Sequence, residues 1–337
     1  MGSRIAVDAM GGDDAPEAAV TGALSALEHA EEGLSILLVG PEARVQDVLD
    51  AQGESVDRRL QILDAPDVIE MGDAPATAVK QKTESSIHRG LAAHHDGHAD
   101  AFVSAGNTGA IMGAAMFILG RIAGVERPSI TGFFPTLRGT SIVLDVGSNV
   151  DCKPKHLVQF ARLGTVYARQ VQKKAEPSVG LLNIGEEPGK GNEQVKEAHE
   201  RLRQADDIHF KGNVEGNDLL FYASDIIICD GFVGNVLLKF GESMTTVLTE
   251  MTEQEMERQG LSSADRSTVR GVLGEVRKGF DAETRGGVPL LGVDGNVLVG
   301  HGRSGPSAIK QMIHSAADLA SENVVEAIED TFQPEAA

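Results

Sequence analysis

The sequence predicts an α/β fold in which a doubly wound, mostly parallel sheet carries helices on both faces. Short apolar, β-branched runs bounded by Gly and Asp alternate with helical patterns along almost all of the 337 residues, and this alternation is typical of parallel sheets. Three successive runs also lead into loops of Gly, Asn and acidic residues at 185–193, 212–218 and 230–235. Glycine-rich loops at the carboxyl ends of strands present N–H groups to ligands. They predict a site for phosphate or another small anion.

Strands are predicted where runs of Val, Ile, Leu and Phe end at Gly, Asn or Asp. In chain order these runs are 5–7, 35–39, 61–64, 101–104, 130–135, 141–145, 179–183, 208–210 and 226–229. Helices are predicted where apolar residues recur three and four positions apart. These segments are 15–30, 42–52, 77–94, 108–119, 156–174, 193–204 and 235–252. The chain contains no internal repeat or linker, so residues 1–337 are predicted to form one domain.

Residues 241–286 differ from the rest because they predict no strand and carry many charges. Apolar residues recur there at helical spacing, in a stripe formed by Val269, Val272, Leu273, Val276 and Phe280. Together with an earlier stripe that begins at Met244, this pattern predicts a protruding helical hairpin that turns near residues 259–261. The hairpin either packs on the domain or across a dimer interface, or it touches a membrane surface.

The composition limits the classes of function. A formal net charge of −20 opposes non-specific binding to nucleic acid. No apolar run approaches the roughly 18 residues of a membrane span, and the first residues run directly into a strand, which argues against a secretory signal. Cys152 and Cys229 lack the spacing of a metal site and indicate a reducing compartment. We therefore expect a cytoplasmic protein.

Seven motifs occur in the order found in one known family. They occupy residues 7–13, 104–110, 144–154, 183–193, 212–218, 230–235 and 287–293. Through them the chain resembles the bacterial phosphate acyltransferase (PlsX) family from residue 4 to residue 325. The resemblance implies the fold of isocitrate and isopropylmalate dehydrogenases in a single catalytic domain, as a homodimer without metal or nicotinamide.

The same resemblance implies an activity. A long acyl chain would pass from the phosphopantetheine thioester of acyl carrier protein to inorganic phosphate. The acyl phosphate would then serve a membrane glycerol-3-phosphate acyltransferase in phospholipid synthesis. Members of the family are soluble proteins that associate peripherally with the membrane. No nucleic acid is expected as a partner.

Three side chains are candidates for the chemistry. Lys190 lies between Gly189 and Gly191, where its ammonium group can reach an anion held by the loop. Asp230 either caps the next helix or belongs to the site, orienting Lys190 or accepting a proton. His301 is either structural or the proton donor to the departing thiolate.

Further residues are candidates for substrate binding. Asn192 offers amide donors on the same loop as Lys190, and Asn235 lies at the start of the following helix. The turn formed by Gly106, Asn107 and Thr108 either presents N–H groups to phosphate or the thioester carbonyl, or is a tight turn with Thr108 as the helix cap. No cluster predicts a metal site.

An acidic carrier protein needs a basic surface on this acidic chain. Arg121, Arg127 and Lys153 are the predicted docking residues, although solvated surface cations explain them equally well. Two other functions remain open. One is a phosphotransacetylase relative that uses a coenzyme A thioester, and the other is a membrane-associated scaffold with a vestigial site. A metal- and nicotinamide-dependent dehydrogenase is disfavoured because the metal-binding carboxylates are missing.

Overall fold

The computed structural model describes residues 2–30, 33–279 and 286–333. Within these ranges the strands form two sheets. Their bounds are β1 Arg4–Asp8, β2 Ser35–Gly40, β3 Leu60–Asp64, β4 Ala101–Ser104, β5 Ser129–Ile130, β6 Gly132–Thr136, β7 Gly139–Leu144, β8 Ser178–Asn183, β9 His209–Glu215, β10 Ile226–Ile228, β11 Val288–Leu291 and β12 Val297–Val299.

Helices separate most of the strands. Their bounds are α1 Glu17–Glu28, α2 Glu42–Ala51, α3 Pro75–Gln81, α4 Ser86–His95, α5 Thr108–Ile118, α6 Pro154–Gln170, α7 Glu193–Arg203, α8 Gly231–Arg258, α9 Ser263–Lys278, α10 Pro306–Ser321 and α11 Val324–Phe332. A short 3₁₀ turn at Leu219–Phe221 precedes β10.

Both sheets are mostly parallel, which confirms the predicted fold class. The first has the order β3-β2-β1-β4-β12-β11-β5, and the second has the order β6-β7-β10-β8-β9. In the first sheet β11 runs antiparallel to both of its neighbours, and in the second only the edge strand β6 is antiparallel. Strand β10, the sequence Ile226–Ile228, is fully buried in its sheet, as expected for a parallel strand covered on both faces.

The predicted strand at 130–135 is wrong in one respect, because the structure divides it between the two sheets. Strand β5 pairs with β11 in the first sheet, and β6 pairs with β7 in the second. At the crossing, Thr131 donates hydrogen bonds to the Pro289 carbonyl from its backbone nitrogen (3.1 Å) and from its Oγ1 (2.7 Å). Residues 129–136 therefore connect the two sheets.

The predicted helix at 77–94 is also divided, into α3 and α4. Ser85 caps α4 through a hydrogen bond from the backbone nitrogen of His88 to its Oγ (3.4 Å). A capping residue satisfies a free N–H group and starts a new helix. The break was not predicted because the apolar periodicity continues through both helices. Strands β11 and β12 and helices α10 and α11 were not predicted, although residues 287–293 belong to a recognised motif.

The predicted hairpin consists of α8 and α9, and α8 begins earlier than expected, at Gly231. The two helices join at Gly260, whose φ of +64° favours glycine. Arg270 of α9 makes a bidentate ion pair with Glu253 of α8, at 2.6 and 2.7 Å. Phe280 of the predicted apolar stripe lies outside the described residues. Whether the hairpin and the sheets form one domain stays a prediction.

The hairpin leaves many of its apolar side chains exposed. On α8 the exposed fractions of Phe232, Val236 and Met251 are 61%, 56% and 59%, and on α9 those of Val272 and Val276 are 61% and 59%. Within the described ranges, no helix has both the length and the apolar character needed to cross a membrane.

Candidate functional site

The candidate site is a cleft of about 450 Å³. Its walls come from the segments that follow β4, β7, β10 and β12 and from residues of β5, β6, β11 and β12. Strands β4 and β12 belong to the first sheet, and β7 and β10 belong to the second. The cleft therefore lies where an α/β protein is expected to hold its ligand.

Three of the predicted site residues line this cleft together. They are Thr108 at the start of α5, Asn235 in the first part of α8, and His301 in the loop after β12. They are separated by 127 and 66 positions in the sequence, so only the sheet topology brings them to one place. Ser148 and Ser304 add two hydroxyl groups to the same cleft.

The start of α5 offers unpaired backbone donors. Asn107 caps the helix by accepting a hydrogen bond from the Ala110 backbone nitrogen at its Oδ1 (3.1 Å), whereas Thr108 is the first helical residue and not the cap. Within the described residues the Thr108 and Gly109 backbone N–H groups have no hydrogen-bond acceptor. Because the first turn of a helix carries partial positive charge, this end of the cleft favours an anion.

Hydrogen bonds from Asn107 and Gly106 stabilise the turn that precedes α5. The Asn107 amide donates to the carbonyls of Asp73 (3.1 Å) and Met71 (3.2 Å), which leaves its polar atoms engaged with the chain. The Gly106 backbone nitrogen donates to Ser104 Oγ (3.0 Å), and Ser104 in turn donates to the buried Asp8 carboxylate (2.6 Å). Burial raises the pKa of Asp8, and the hydrogen bond from Ser104 opposes the rise.

Asp145 organises the loop that forms the second wall. Its buried carboxylate accepts hydrogen bonds from the backbone nitrogens of Gly147, Ser148 and Asn149 (3.1, 3.1 and 2.6 Å). It also accepts from Ser148 Oγ (2.6 Å) and Asn149 Nδ2 (2.7 Å). Burial raises the pKa of Asp145, while the Ser148 and Asn149 hydrogen bonds oppose the rise. Because one carboxylate accepts all these hydrogen bonds, it fixes the backbone conformation of residues 146–148, which line the cleft.

Helix α8 abuts this loop closely. A Cβ atom at Gly234 would lie 1.9 Å from the Asp145 carbonyl oxygen, and one at Gly147 would lie 2.6 Å from Asn235 Nδ2. Gly147 also has a φ of +135°, which side chains disfavour. Glycine at these two positions lets the first turns of α8 bring Asn235 against the loop.

Lys239 is a cleft residue that the sequence analysis missed. It lies one helical turn after Asn235 and lines the cleft with it. Within the described residues its ammonium group has no hydrogen bond or ion pair. Its four-residue spacing from Asn235 was the available signal, since side chains at i and i+4 share one face of a helix.

His301 is oriented by its own loop. Its Nδ1 accepts a hydrogen bond from the Arg303 backbone nitrogen (3.2 Å), and its backbone nitrogen donates to Ser304 Oγ (3.1 Å). With Nδ1 acting as an acceptor, the proton of the neutral ring resides on Nε2. The histidine can therefore donate a hydrogen bond from the ring nitrogen that the loop does not use.

The Lys190 loop is separate from the residues that line this cleft. Lys190 is exposed between β8 and α7, and its carbonyl accepts a hydrogen bond from Asn183 Nδ2 (3.1 Å). Asn192 caps α7 through the Val195 backbone nitrogen (2.9 Å). Gly191 has a φ of +90°, and Gly189 has open space around it. The roles of these four residues stay predictions.

Asp230 occupies the capping position at the start of α8. Its Oδ1 accepts a hydrogen bond from the Val233 backbone nitrogen (2.8 Å). Within the described residues no hydrogen bond or ion pair joins Asp230 to Lys190. Capping is therefore its observed interaction, and its part in catalysis stays a prediction.

The predicted docking residues are all exposed. Arg121 Nη1 donates to the Glu126 carbonyl (2.7 Å), and the Lys153 backbone nitrogen donates to His156 Nδ1 at the start of α6 (3.1 Å). Within the described residues Arg127 has neither a hydrogen bond nor an ion pair.

Neither thiol is suited to attack a substrate. Cys229 is buried and Cys152 is half-buried, and both are free thiols. Burial raises the pKa of Cys152 to about 12, so its thiolate is scarce near neutral pH. In the described part of the chain, no group of three or more His, Cys, Asp or Glu side chains is arranged to hold a metal ion.

Comparison with known proteins identifies the family. The sequence profile of a family described as "fatty acid synthesis protein" matches residues 3–327. The chain belongs to this family. A relative from Salinibacter ruber named phosphate acyltransferase is 71% identical over 335 residues, covering 99% of each chain. A relative of the same name from Chlorobaculum parvum is 47% identical over 332 residues, covering 96% of this chain and 97% of its own.

Solved structures of low sequence identity share the fold of this fatty acid synthesis family member. A phosphotransacetylase from Streptococcus pyogenes has a TM-score of 0.63 at 17% identity, covering 96% of this chain and 95% of its own. A 4-hydroxythreonine-4-phosphate dehydrogenase from Klebsiella pneumoniae has a TM-score of 0.55 at 14% identity, covering 96% and 99%. The fold prediction is confirmed, since both dehydrogenases and phosphotransacylases share this architecture.

Proposed function

We propose that the protein transfers a long-chain fatty acyl group from acyl carrier protein to inorganic phosphate. It is a phosphate acyltransferase, and its product, an acyl phosphate, enters phospholipid synthesis. The observation that carries this proposal is the cleft in which the start of α5, Lys239 and His301 meet, in a chain that is 71% identical to a phosphate acyltransferase over 99% of its length.

The reaction begins with phosphate as the nucleophile. A phosphate oxygen attacks the thioester carbonyl carbon, and the carbonyl oxygen becomes an oxyanion. The Thr108 and Gly109 N–H groups, together with Lys239, supply positive potential for the phosphate and the oxyanion. Such donors act most strongly when they are already in place, and the capped helix and the Asp145 loop hold them there.

The tetrahedral intermediate then collapses. The C–S bond breaks, the carbonyl re-forms as the mixed anhydride of the fatty acid and phosphate, and the sulfur of phosphopantetheine leaves as a thiolate. His301 stabilises the departing sulfur by donating a hydrogen bond from Nε2, and the thiolate takes up a proton from solvent while the phosphate hydroxyl loses its proton. No covalent enzyme intermediate is required, which agrees with the raised pKa of both thiols.

The loop of Lys190, Gly189, Gly191 and Asn192 serves the same phosphate in this proposal. It follows β8, and β8 pairs with β10, the strand that leads into Asp230 and α8. The loop thus starts beside the α8 wall of the cleft. Lys190 attracts phosphate toward the site, and Asp230 holds the start of α8 in position.

The proposal includes three partners. Acyl carrier protein docks on the exposed cations Arg121, Arg127 and Lys153. A second copy of the chain forms a homodimer through the exposed apolar stripe of α8. The hairpin associates peripherally with the membrane surface, where a glycerol-3-phosphate acyltransferase receives the product. The exposure of the hairpin's apolar residues supports both the homodimer and the membrane contact. In this proposal the protein is cytoplasmic and acts at the membrane surface.

The experiment that tests the proposal measures acyl phosphate formation from hexadecanoyl-acyl carrier protein and phosphate. Lys239→Ala and Lys190→Ala are compared with the wild type and with Lys196→Ala, which removes a partly exposed lysine of α7 that pairs with Glu193. Removing a charge donor at the reacting oxygens commonly costs about 10²–10³ in rate. We expect such a loss in Lys239→Ala, a loss of at least about tenfold in Lys190→Ala, and nearly full activity in Lys196→Ala.

Circular dichroism and thermal melting of each variant establish that it is folded. Equal activity of all four proteins would contradict the assigned site. Turnover with acetyl-coenzyme A alone would indicate a phosphotransacetylase. An absence of turnover with both donors would contradict an enzymatic function and would favour the membrane-associated scaffold instead.

A further inference from the structure

An apolar groove of about 350 Å³ lies beside the cleft, between β6, the 3₁₀ turn at Leu219–Phe221, α8 and α9. Its floor includes Phe134 and Leu219, which are 7% and 3% exposed. Its rim includes Leu248 and Val276, which are 54% and 59% exposed. Contiguous apolar surface of this kind marks a binding groove more often than a free surface.

The groove offers few polar partners to a ligand. Its polar lining consists of Glu242 and Arg277 at the margin and two threonines of α8, whose hydroxyl groups bond to the helix itself. Thr245 Oγ1 donates to the Glu242 carbonyl (2.9 Å), and Thr249 Oγ1 donates to the Thr245 carbonyl (2.8 Å). These hydroxyls are therefore satisfied without a ligand. An occupant gains affinity here by burying apolar surface.

The groove adjoins the cleft. Phe133, Leu238 and Glu242 line both spaces and form their shared boundary. Along α8, Asn235 and Lys239 line the cleft, whereas Leu237 and Gly241 line the groove. One helix thus borders both a cleft that favours an anion and an adjacent apolar groove. A ligand that fits both has a polar reacting end and an aliphatic tail.

We propose that this groove binds the acyl chain of the thioester donor while the thioester carbonyl lies in the cleft. This inference rests on the proposed function and specifies its substrate. The position of the apolar groove next to the cleft favours an acyl chain over a second copy of the protein, because an acyl thioester carries its apolar tail next to the carbonyl that reacts in the cleft. The volume falls in the range of small-molecule sites, roughly 300–1,000 Å³.

Gly241 provides a way to close the groove without disturbing the fold. A Cβ atom at this position would lie 3.5 Å from the Phe134 ring, which is ordinary van der Waals contact. A leucine side chain there fills the space between α8 and β6. Gly271 on α9 is the matched control, because it is also helical, does not line the groove, and has open space within 4 Å of the position that a Cβ atom would take. Both substitutions replace a helical glycine and favour the helix alike.

The test compares kcat/KM for hexadecanoyl and butanoyl donors in the wild type, Gly241→Leu and Gly271→Leu. Each buried methylene contributes about 0.8 kcal/mol, or roughly fourfold in kcat/KM. We expect Gly241→Leu to lose on the order of 100-fold with the long donor and to keep wild-type activity with the short one. Gly271→Leu should match the wild type with both. An unchanged preference for the long donor in Gly241→Leu would overturn the inference while leaving the proposed function intact.

A binding measurement separates this inference from the reaction. Spin-labelled hexadecanoate is titrated against the same three proteins, and sedimentation reports their mass. Immobilised label in the wild type and Gly271→Leu, with free label in Gly241→Leu, supports the groove even if no acyl phosphate forms. Equal immobilisation in all three overturns it. A change of mass in Gly241→Leu without a change in label binding assigns the groove to a second copy instead, and also overturns it.

Discussion

At the scale of single residues, a half-buried histidine of α4 determines part of this protein's response to pH. The Nδ1 of His94 bonds to the Ala99 carbonyl (2.9 Å), and its Nε2 accepts a hydrogen bond from the Asn296 backbone nitrogen (2.9 Å). The ring is therefore neutral, with its proton on Nδ1. Burial lowers the pKa of His94, although the Ala99 carbonyl and two nearby aspartates oppose the shift.

A lowered pKa in the folded protein predicts loss of stability in acid. Below the ordinary value of 6.5 the unfolded chain binds this proton first, so the free energy of unfolding falls by up to about 1.4 kcal/mol per pH unit until the folded pKa is reached. The difference in the free energy of unfolding between the wild type and His94→Gln should shrink as the pH falls below 6.5. Urea unfolding at several pH values measures this difference.

The control is the neighbouring His95, whose side chain is 56% exposed. His95→Gln should stay within about 0.5 kcal/mol of the wild type at each pH, as most surface substitutions do. A constant difference between wild type and His94→Gln across this range would show that the histidine does not titrate with folding.

The residues of the candidate site were only partly predictable from the sequence. Thr108, Asn235 and His301 were found because each follows a strand and lies beside glycine. Lys239 was missed because it lies within a helix, where a lysine is ordinarily a solvated surface residue. Its role depends on the rotation of α8 about its axis, and that rotation is fixed by the contact of Gly234 with the Asp145 loop, a tertiary feature.

At the scale of elements, α8 carries a broad apolar face, and only part of it borders the groove. Phe232, Val236, Val247 and Met251 are 61%, 56%, 46% and 59% exposed, and none of them lines the groove or the cleft. A second copy of the chain would cover this face in the proposed dimer.

A charge on this face should therefore dissociate the dimer. Burying an unpaired carboxylate in an interface costs several kcal/mol, so Val236→Glu should raise the dimer dissociation constant by on the order of 100-fold. Val56→Glu is the control, because Val56 is 47% exposed but lies in a loop between α2 and β3. Analytical ultracentrifugation measures both. The same dissociation constant in Val236→Glu and Val56→Glu would place the interface elsewhere.

Elements with strong local periodicity were predicted well, and those that depend on long-range pairing were not. Strand β4 was predicted at its observed bounds, and α5 within one residue at its end. Strands β11 and β12 are four and three residues long, and they are held by neighbours from distant parts of the chain. Strand β12 pairs with β4, nearly two hundred residues earlier. Short runs of this kind carry little local signal.

At the scale of the whole molecule, the net charge of −20 repels an acidic carrier protein. Local cations must overcome this repulsion if the proposed docking surface is correct. Arg127→Glu should therefore lower kcat/KM for acyl carrier protein by about tenfold at low salt, mainly through the association rate. The loss should shrink at high salt, since the Debye length falls from about 10 Å at 0.1 M to about 3 Å at 1 M.

Arg44→Glu is the matched control for this prediction. Arg44 lies on α2, is exposed, and like Arg127 has neither hydrogen bond nor ion pair within the described residues, so both changes alter the net charge equally. A coenzyme A thioester, which lacks the carrier protein, should react equally well with both variants. Equal losses with acyl carrier protein would mean that only total charge matters and would contradict a local docking surface.

The path of residues 129–136 has a mechanical consequence. These residues leave the first sheet at β5, are anchored by Thr131 to Pro289, and enter the second sheet at β6. Ile130, Gly132 and Phe133 also line the cleft. The width of the cleft therefore depends on the angle between the two sheets. A substrate that contacts both walls links the sheets for as long as it is bound. Binding of substrate in the cleft therefore stabilises the association of the two sheets, and loosening of the sheets weakens substrate binding.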